Sequence, residues 1–152
     1  MTEAPISRDF TVAVFVVHNN HVILHPHAKL GIWLPPGGHI EPDELPDEAA
    51  IREVLEETGI EVELVGERGI GLVHSDQPIQ LIRPEGIQLE VIASDHQHID
   101  LIYFARPMAA SNRLPDLLDG MEWMASDALD RIDFTSEVRE WCGKAFAAAP
   151  QW

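Results

Sequence analysis

The stretch from Gly38 to Ile60, G-H-I-E-P-D-E-L-P-D-E-A-A-I-R-E-V-L-E-E-T-G-I, constrains this chain more than any other. Five residues separate Gly38 from Glu44 and seven separate Glu44 from Arg52. The pattern reads as a loop feeding a short helix. Pro46 suits a first helical position, where a missing N–H is no loss. Asp47 and Glu48 fall in the first turn and complement the positive end of the helix dipole. Gly59 fits a left-handed cap, with apolar Ile60 just beyond it.

The two sides of this helix differ. Ala50, Ile51, Val54, Leu55 and Thr58 form the side expected to pack on a core. Glu53, Glu56 and Glu57 stand at i, i+3 and i+4 on the other side, where each like-charge pair costs a helix about 0.2–0.5 kcal/mol. Three carboxylates crowded at one spot ask for a positive partner. An oxygen-only ligand set suits a hard divalent cation, Mg²⁺ or Mn²⁺, rather than zinc. The alternative is a solvated acidic face. The glycines and Arg52 beside the cluster favour the cation.

Gly38 to Ile60 resembles the signature of the Nudix hydrolases: Gly, five residues, Glu, seven residues, then Arg-Glu-apolar-x-Glu-Glu-x-Gly-apolar, with every fixed position filled. The lead-in Trp33-Leu34-Pro35-Pro36-Gly37-Gly38 is similar too, apart from Pro35, where an aliphatic residue is more usual. The resemblance implies a single domain over residues 1–152. It also implies an α/β/α sandwich with a mixed β-sheet, and metal-dependent hydrolysis of a nucleoside diphosphate linked to another moiety. By the same resemblance Glu56 and Glu57, with the carbonyl of Gly38, ligate Mg²⁺ or Mn²⁺. Glu53 ligates a second ion or orients the attacking water as base, and Arg52 holds a catalytic glutamate by an ion pair. Glu44 is expected to tie the loop to the start of the helix.

The rest of the chain supplies strands around this unit. Asp9 to Val17 is β-branched, aromatic and almost continuously apolar, as in a strand buried on both faces. His18-Asn19-Asn20-His21 is a turn signal, and Val22 to Leu24 the return strand. His18, His21, His25 and His27 are irregularly spaced and read as exposed turn histidines, with metal binding the alternative. Gly31 to Leu34 leads into Pro35-Pro36-Gly37-Gly38, read as a rigid turn whose glycines let a carbonyl approach closely. Trp33 is a core or lid residue, with base stacking the alternative. Glu61 to Ile70 is expected to be a strand, and Ile79–Arg83 with Ile87–Ile92 a hairpin about Pro84-Glu85-Gly86. His98 to Ala105 is a further strand after the break at Ser94-Asp95. Extended from His96, it puts His96, His98 and Asp100 on one face. The resemblance implies an extra carboxylate or polar residue supplied by a downstream loop or strand, which makes His98 and Asp100 candidate substrate-binding residues, a solvent-facing polar edge being the alternative. Met121 to Met124 is a short last strand, Ser126-Asp127 cap a helical turn to Ile132, and Thr135 to Ala148 is an amphipathic helix. This element order argues for α/β layers.

Composition narrows the partners. A net charge of −16, from 26 acidic and 10 basic residues, repels a phosphate backbone or an anionic membrane. A small phosphorylated substrate stays open, because bound divalent cations bridge carboxylate to phosphate. A homodimer is also open. No apolar run is long enough to span a bilayer, Met1 to Pro5 does not read as a signal peptide, and the single Cys142 excludes an internal disulfide. A cytoplasmic protein is expected. Pro78 lies later than the proline of ADP-ribose hydrolases, and Ser75-Asp76-Gln77-Pro78 is only a fragment of the longer motif of NADH-cleaving members. Two other readings are an inactive nucleotide-binding module on the same fold and the isopentenyl diphosphate isomerase branch, whose cysteine would have to be Cys142.

Overall fold

The elements run β1 (Ser7–His18), β2 (His21–Pro26), β3 (Trp33–Leu34), β4 (Gly37–His39), α1 (Pro46–Thr58), β5 (Val62–Val65), β6 (Gly86–Ala93), β7 (His96–Pro107), β8 (Glu122–Ala125) and α2 (Ser136–Ala148). Short 3₁₀ turns cover Ser126–Asp130 and Ala149–Gln151. The structure, a computed structural model, describes residues 3–72, 76–109, 111–130 and 134–152. Met1, Thr2, Ser75 and Ile132, which entered the sequence reading, lie outside the described residues.

The two longest strands, β1 and β7, lie side by side and parallel, in register from Ser7↔His96 to Val16↔Ala105. Each serves two antiparallel neighbours in succession. β1 pairs β4 through Thr11–Ala13 and then β2 through Val17 and His18. β7 pairs β6 over its first half and β5 over its last residues. β2 carries β3 and β8. The result is a mixed sheet. Alternation along β1 feeds two cores. Val12, Val14 and Val16 pack with Ala49, Ala50 and Val54 of α1. Phe15 and Val17 pack with Val138, Cys142 and Ala145 of α2. The α/β/α sandwich with a mixed sheet expected from the sequence is the observed architecture.

α1 starts and stops where its sequence dictates. Pro46 opens it, Glu48 accepts from the Leu45 N–H at 3.3 Å, and Gly59 closes it at φ 81° with its N–H on the Leu55 carbonyl. Its buried stripe is narrower than expected. Ala49, Ala50, Val54 and Thr58 are buried, whereas Ile51 and Leu55 are 39% and 44% exposed. The small residues let the helix sit close to β1, which leaves the flanking Ile51 and Leu55 outside. α2 is capped by the Thr135 hydroxyl, which accepts from the Val138 N–H.

Three expectations about strands are corrected. Gly37–His39 is a short strand on β1, not part of a turn, because the Val14 N–H reaches back to the Pro36 carbonyl and the Ile40 N–H to the Phe10 carbonyl. The strand after α1 ends at Val65; beyond it Arg68 makes only an isolated bridge to Ile82. Ile79–Arg83 does not form a hairpin with Ile87–Ile92. Gly86–Ala93 turns at Ser94-Asp95 and pairs with β7 instead. The Arg83 N–H donates instead to the Glu67 carbonyl, and Ile82 bridges Arg68. Asn19 and Asn20 hold the β1–β2 turn with φ of 45° and 60°, the left-handed pair that matches strand twist. Among the described residues no helix is long and apolar enough to cross a membrane.

Cys142 is fully buried against the sheet, and burial pushes its thiol up to about 12. It is inert packing, far in chemical character from a reactive thiolate. The native protein at pH 8 should therefore resist an aromatic disulfide reagent and react only in denaturant; prompt labelling in native buffer would contradict this packing.

Candidate functional site

Arg52 gathers the site. Its guanidinium grips Glu44 with both ends of the fork, Nε to Oε2 at 2.6 Å and Nη2 to Oε1 at 2.9 Å. Nη1 donates to Glu53 Oε1 at 3.0 Å and Glu56 Oε2 at 3.2 Å, and Nη2 also reaches the His39 carbonyl at 3.0 Å. Such two-pronged, charge-assisted pairing fixes geometry as well as adding energy. Glu44 lies in the loop before the helix and also accepts from the Glu41 N–H. Its hydrogen bond to Arg52 holds its carboxyl below the usual range. Loop, β4 and helix thus meet at one cation.

The three glutamates of α1 divide. Glu53 and Glu56 lean on Arg52. Glu57 turns to β4, where its Oε1 accepts from the Gly37 N–H at 3.1 Å and its Oε2 lies 3.9 Å from His25 Nε2. Burial, with the neighbouring charges of Glu53 and Glu56, pushes the Glu57 carboxyl up to about 7 against the pull of the Gly37 N–H. A half-buried carboxylate crowded by two others, with all-oxygen donors, fits a hard divalent cation.

The backbone of β4 decides which carbonyl faces this group. Pro36 and Ile40 bond to β1, and Gly38, between them in the alternation, stands opposite Val12. Gly37 and His39 bond outward, to Glu57 and Arg52. In a strand the N–H and C=O of one residue point to the same side. The Gly37 carbonyl therefore turns toward the carboxylates, while the Gly38 carbonyl, expected there from the sequence, turns toward β1. What Gly38 gives the site is the absence of a side chain: a Cβ there would sit 2.5 Å from Glu53 Oε1. At Gly37 a Cβ would collide with the Val12 carbonyl.

Glu57, Gly37 and Gly38 open onto a cleft of about 480 Å³. Asp100, Gln88, Glu90 and Glu137 line its other polar portion, with Leu34 and Val138 as apolar wall. Asp100 is 7% exposed and accepts from the Thr11 hydroxyl at 2.8 Å. Burial, helped by the charges of Glu90 and Glu137, raises its carboxyl to about 6. His96, His98 and Asp100 do share a face, and His98 also borders the cleft. Its ring stands edge-on to His96 and to His39, with centroids 5.1 and 5.0 Å away. Asp9, His39 and His98 bring ligand atoms within 4.8 Å of one another, a second group able to hold a divalent cation.

Arg52, Glu53, Glu56 and Glu57 are thus brought together, and His98 and Asp100 share a cleft with Glu57 but not with Glu53 or Glu56. Sequence reasoning missed Gly37, Gln88, Glu137, Asp9 and His39. For Gly37 the signal was present in the glycine pair. For the others it lay in strand register and in the docking of α2, which no local pattern encodes.

The NUDIX domain model matches residues 7–142. The crystal structure of a NUDIX-family hydrolase from Clostridium perfringens superposes with a TM-score of 0.79 at 32% identity, covering 95% of this chain and 99% of that one. The m7GpppN-mRNA hydrolase NUDT17 of Danio rerio is 27% identical over 127 residues, 79% of this chain and 40% of that protein. A MutT-like protein of Streptomyces ambofaciens is 38% identical over 63 residues, 41% of each chain. The chain matches less than half the length of these two curated relatives.

The two glycines should respond differently to alanine. Gly37→Ala drives a methyl into backbone and should lower stability by about 1–3 kcal/mol, the usual range for overpacking. Gly38→Ala meets the carboxylate of Glu53, which can shift by loosening its partly exposed bond to Arg52, so the metal-free protein should lose less stability than Gly37→Ala while its Mg²⁺ affinity falls. Calorimetric melting and Mg²⁺ titration of both variants test this; equal, unchanged melting would contradict the close approach of β4 to β1.

Proposed function

This chain belongs to the NUDIX family, and we propose that it is a divalent-cation-dependent hydrolase of a phosphoanhydride in a nucleoside diphosphate derivative. The observation that carries this reading is the half-buried Glu57 crowded by Glu53 and Glu56, the last two held by Arg52.

Glu53, Glu56 and Glu57, with the Gly37 carbonyl in place of that of Gly38, would hold Mg²⁺ or Mn²⁺. Bound there, the ion would offset the charge of the pyrophosphate and acidify the attacking water. Arg52 keeps Glu53 and Glu56 in fixed rotamers, and Glu44 keeps Arg52 in place. Glu53 is bonded to Arg52 through Oε1, which leaves Oε2 as the atom proposed to accept the proton of the attacking water.

The cleft suggests how the substrate lies. Its phosphates would sit toward Glu57, where a cation reverses the local sign. The remainder would meet Asp100, Gln88, Glu90 and Glu137. Acceptors crowd this portion, so it favours a base or sugar that donates hydrogen bonds and disfavours a second anionic group. Asp100, held by Thr11, is the residue proposed to receive such a donor. The m7GpppN-mRNA hydrolases among the relatives are named for a nucleotide substrate, in keeping with this class.

Activity should vanish on chelation and return with Mg²⁺ or Mn²⁺. The sharper test uses Glu56→Gln and Glu57→Gln, each of which keeps side-chain size and removes a ligand charge. Glu57→Gln removes an unmatched repulsive neighbour and should leave the metal-free melting temperature equal or higher, while Glu56→Gln also weakens an exposed pair with Arg52 and should melt near wild type. Turnover on the best substrate from a panel of nucleoside triphosphates, nucleotide sugars and dinucleotides should fall at least about a hundredfold. Loss of a well-placed electrostatic stabiliser commonly costs roughly 2.7–4 kcal/mol of barrier. Near-normal turnover in both variants would remove the helix from the chemistry. No turnover in wild type across the panel would point to a binding module instead.

A further inference from the structure

Asp9, His39, His96 and His98 come from three strands that are distant in sequence and adjacent in space. The parallel register sets Asp9 beside His98 and Ser7 beside His96. The β1–β4 pairing sets His39 opposite Thr11, one rung diagonal from Asp9. Asp9 Oδ2 lies 3.1 Å from His39 Nε2 and 3.4 Å from His96 Nε2. The rings of His39 and His96 both stand edge-on to His98. We propose that Asp9, His39 and His98, whose ligand atoms lie within 4.8 Å of one another, together with His96 beside Asp9, form a second cation site, separate from the glutamates of α1, selective for a borderline transition ion such as Zn²⁺.

Three arguments support it. The first is donor type. Three imidazoles and one carboxylate match zinc, which prefers nitrogen and takes four ligands, whereas Mg²⁺ prefers oxygen and water. The second is orientation. His96 Nδ1 is engaged by the Ser7 hydroxyl at 2.7 Å, which turns Nε2 toward Asp9. A hydrogen bond on the far nitrogen is the usual means of aiming a ligating histidine. The third is access. The side chains of His39, Asp9 and His96 are 57%, 46% and 27% exposed, so an ion can enter without opening the core.

The consequence is mechanical. An ion here would staple β4 to β1 and β7. β4 is the strand that carries Gly37 and Gly38, and the carbonyl of His39 is itself a partner of Arg52. The two sites would then sort metals by ligand chemistry, the hard ion to the glutamates and the borderline ion to the imidazoles. None of its four ligands belongs to α1, and His39 and His98 also border the cleft, so the test below reads the metal rather than turnover.

The test uses untagged protein in excess Mg²⁺, with Co²⁺ as the visible probe for Zn²⁺. Wild type should bind one equivalent of Co²⁺ with the intense absorption of a low-coordinate, nitrogen-ligated ion, and Zn²⁺ should displace it. The Glu56→Gln/Glu57→Gln double variant should keep that spectrum. Asp9→Asn, His96→Ala and His39→Gln should each weaken or abolish it. Zn²⁺ should raise the melting temperature of wild type but not of these three variants. His39→Gln is a change on an exposed side chain and gives a folded reference if His96→Ala melts early. Either of two results would overturn the site: no such absorption in wild type, or absorption lost with the glutamates and kept without the imidazoles.

Discussion

The parallel pairing of β1 and β7 is the constraint on which the rest depends. Parallel neighbours cannot be joined by a tight turn, so the chain between them must travel, and it carries α1 and the signature loop on the way. The same register sets Thr11 against Asp100, giving the cleft a buried carboxylate with a partner. It sets Ser7 against His96 and Asp9 against His98. Because β1 also receives β4, the glycine pair is fixed relative to everything β7 displays. A slip of one residue between the two long strands would turn these side chains to the opposite face.

Against that frame Arg52 performs a task that no apolar contact could. Among the described residues it is the one group that touches the loop, β4 and two of the three glutamates at once. A lysine would offer a point charge; the guanidinium offers a planar fork that can take Glu44 at both oxygens and still extend Nη1 to Glu53 and Glu56. The pairing is partly exposed, so its worth in stability is modest. Its worth lies in geometry, because two long carboxylate side chains lose their freedom to one anchor.

The sequence made α1 legible to its ends because caps, dipole charges and the acidic cluster are all local signals. Pro46 and Gly59 start and stop the helix where the linear pattern puts them, and Glu53, Glu56 and Glu57 stand where it puts them along the helix. The layers were legible too, since β1 and α2 carry their burial in their periodicity. What failed was information held between segments. Gly37-Gly38 looked like a turn because strand pairing of so short a piece depends wholly on β1. The hairpin partner of Ile87–Ile92 was misassigned because apolar runs precede and follow it, and the preceding one is engaged elsewhere, Ile82 bridging Arg68 and the Arg83 N–H donating to the Glu67 carbonyl. The acceptor-rich cleft drew Gln88 and Glu137 from elements separated by α2's docking, which has no sequence signature.

On the proposed reading, the division of the glutamates accounts for three carboxylates where one cation from the protein is already present. Arg52 neutralises Glu44, Glu53 and Glu56 in part, and so removes much of the repulsion that would otherwise unwind the helix face. It does not reach Glu57. That carboxylate gains only a neutral N–H from Gly37 and a distant imidazole, and its burial works against its charge. An anion left in that state lowers the stability of the free fold, and any cation that binds the folded form alone restores it by mass action. The site is therefore built so that the protein's own arginine orders the carboxylates while leaving one charge unmatched. If a second arginine satisfied Glu57 as well, the free fold would be more stable and the attraction for the proposed cation would be lost.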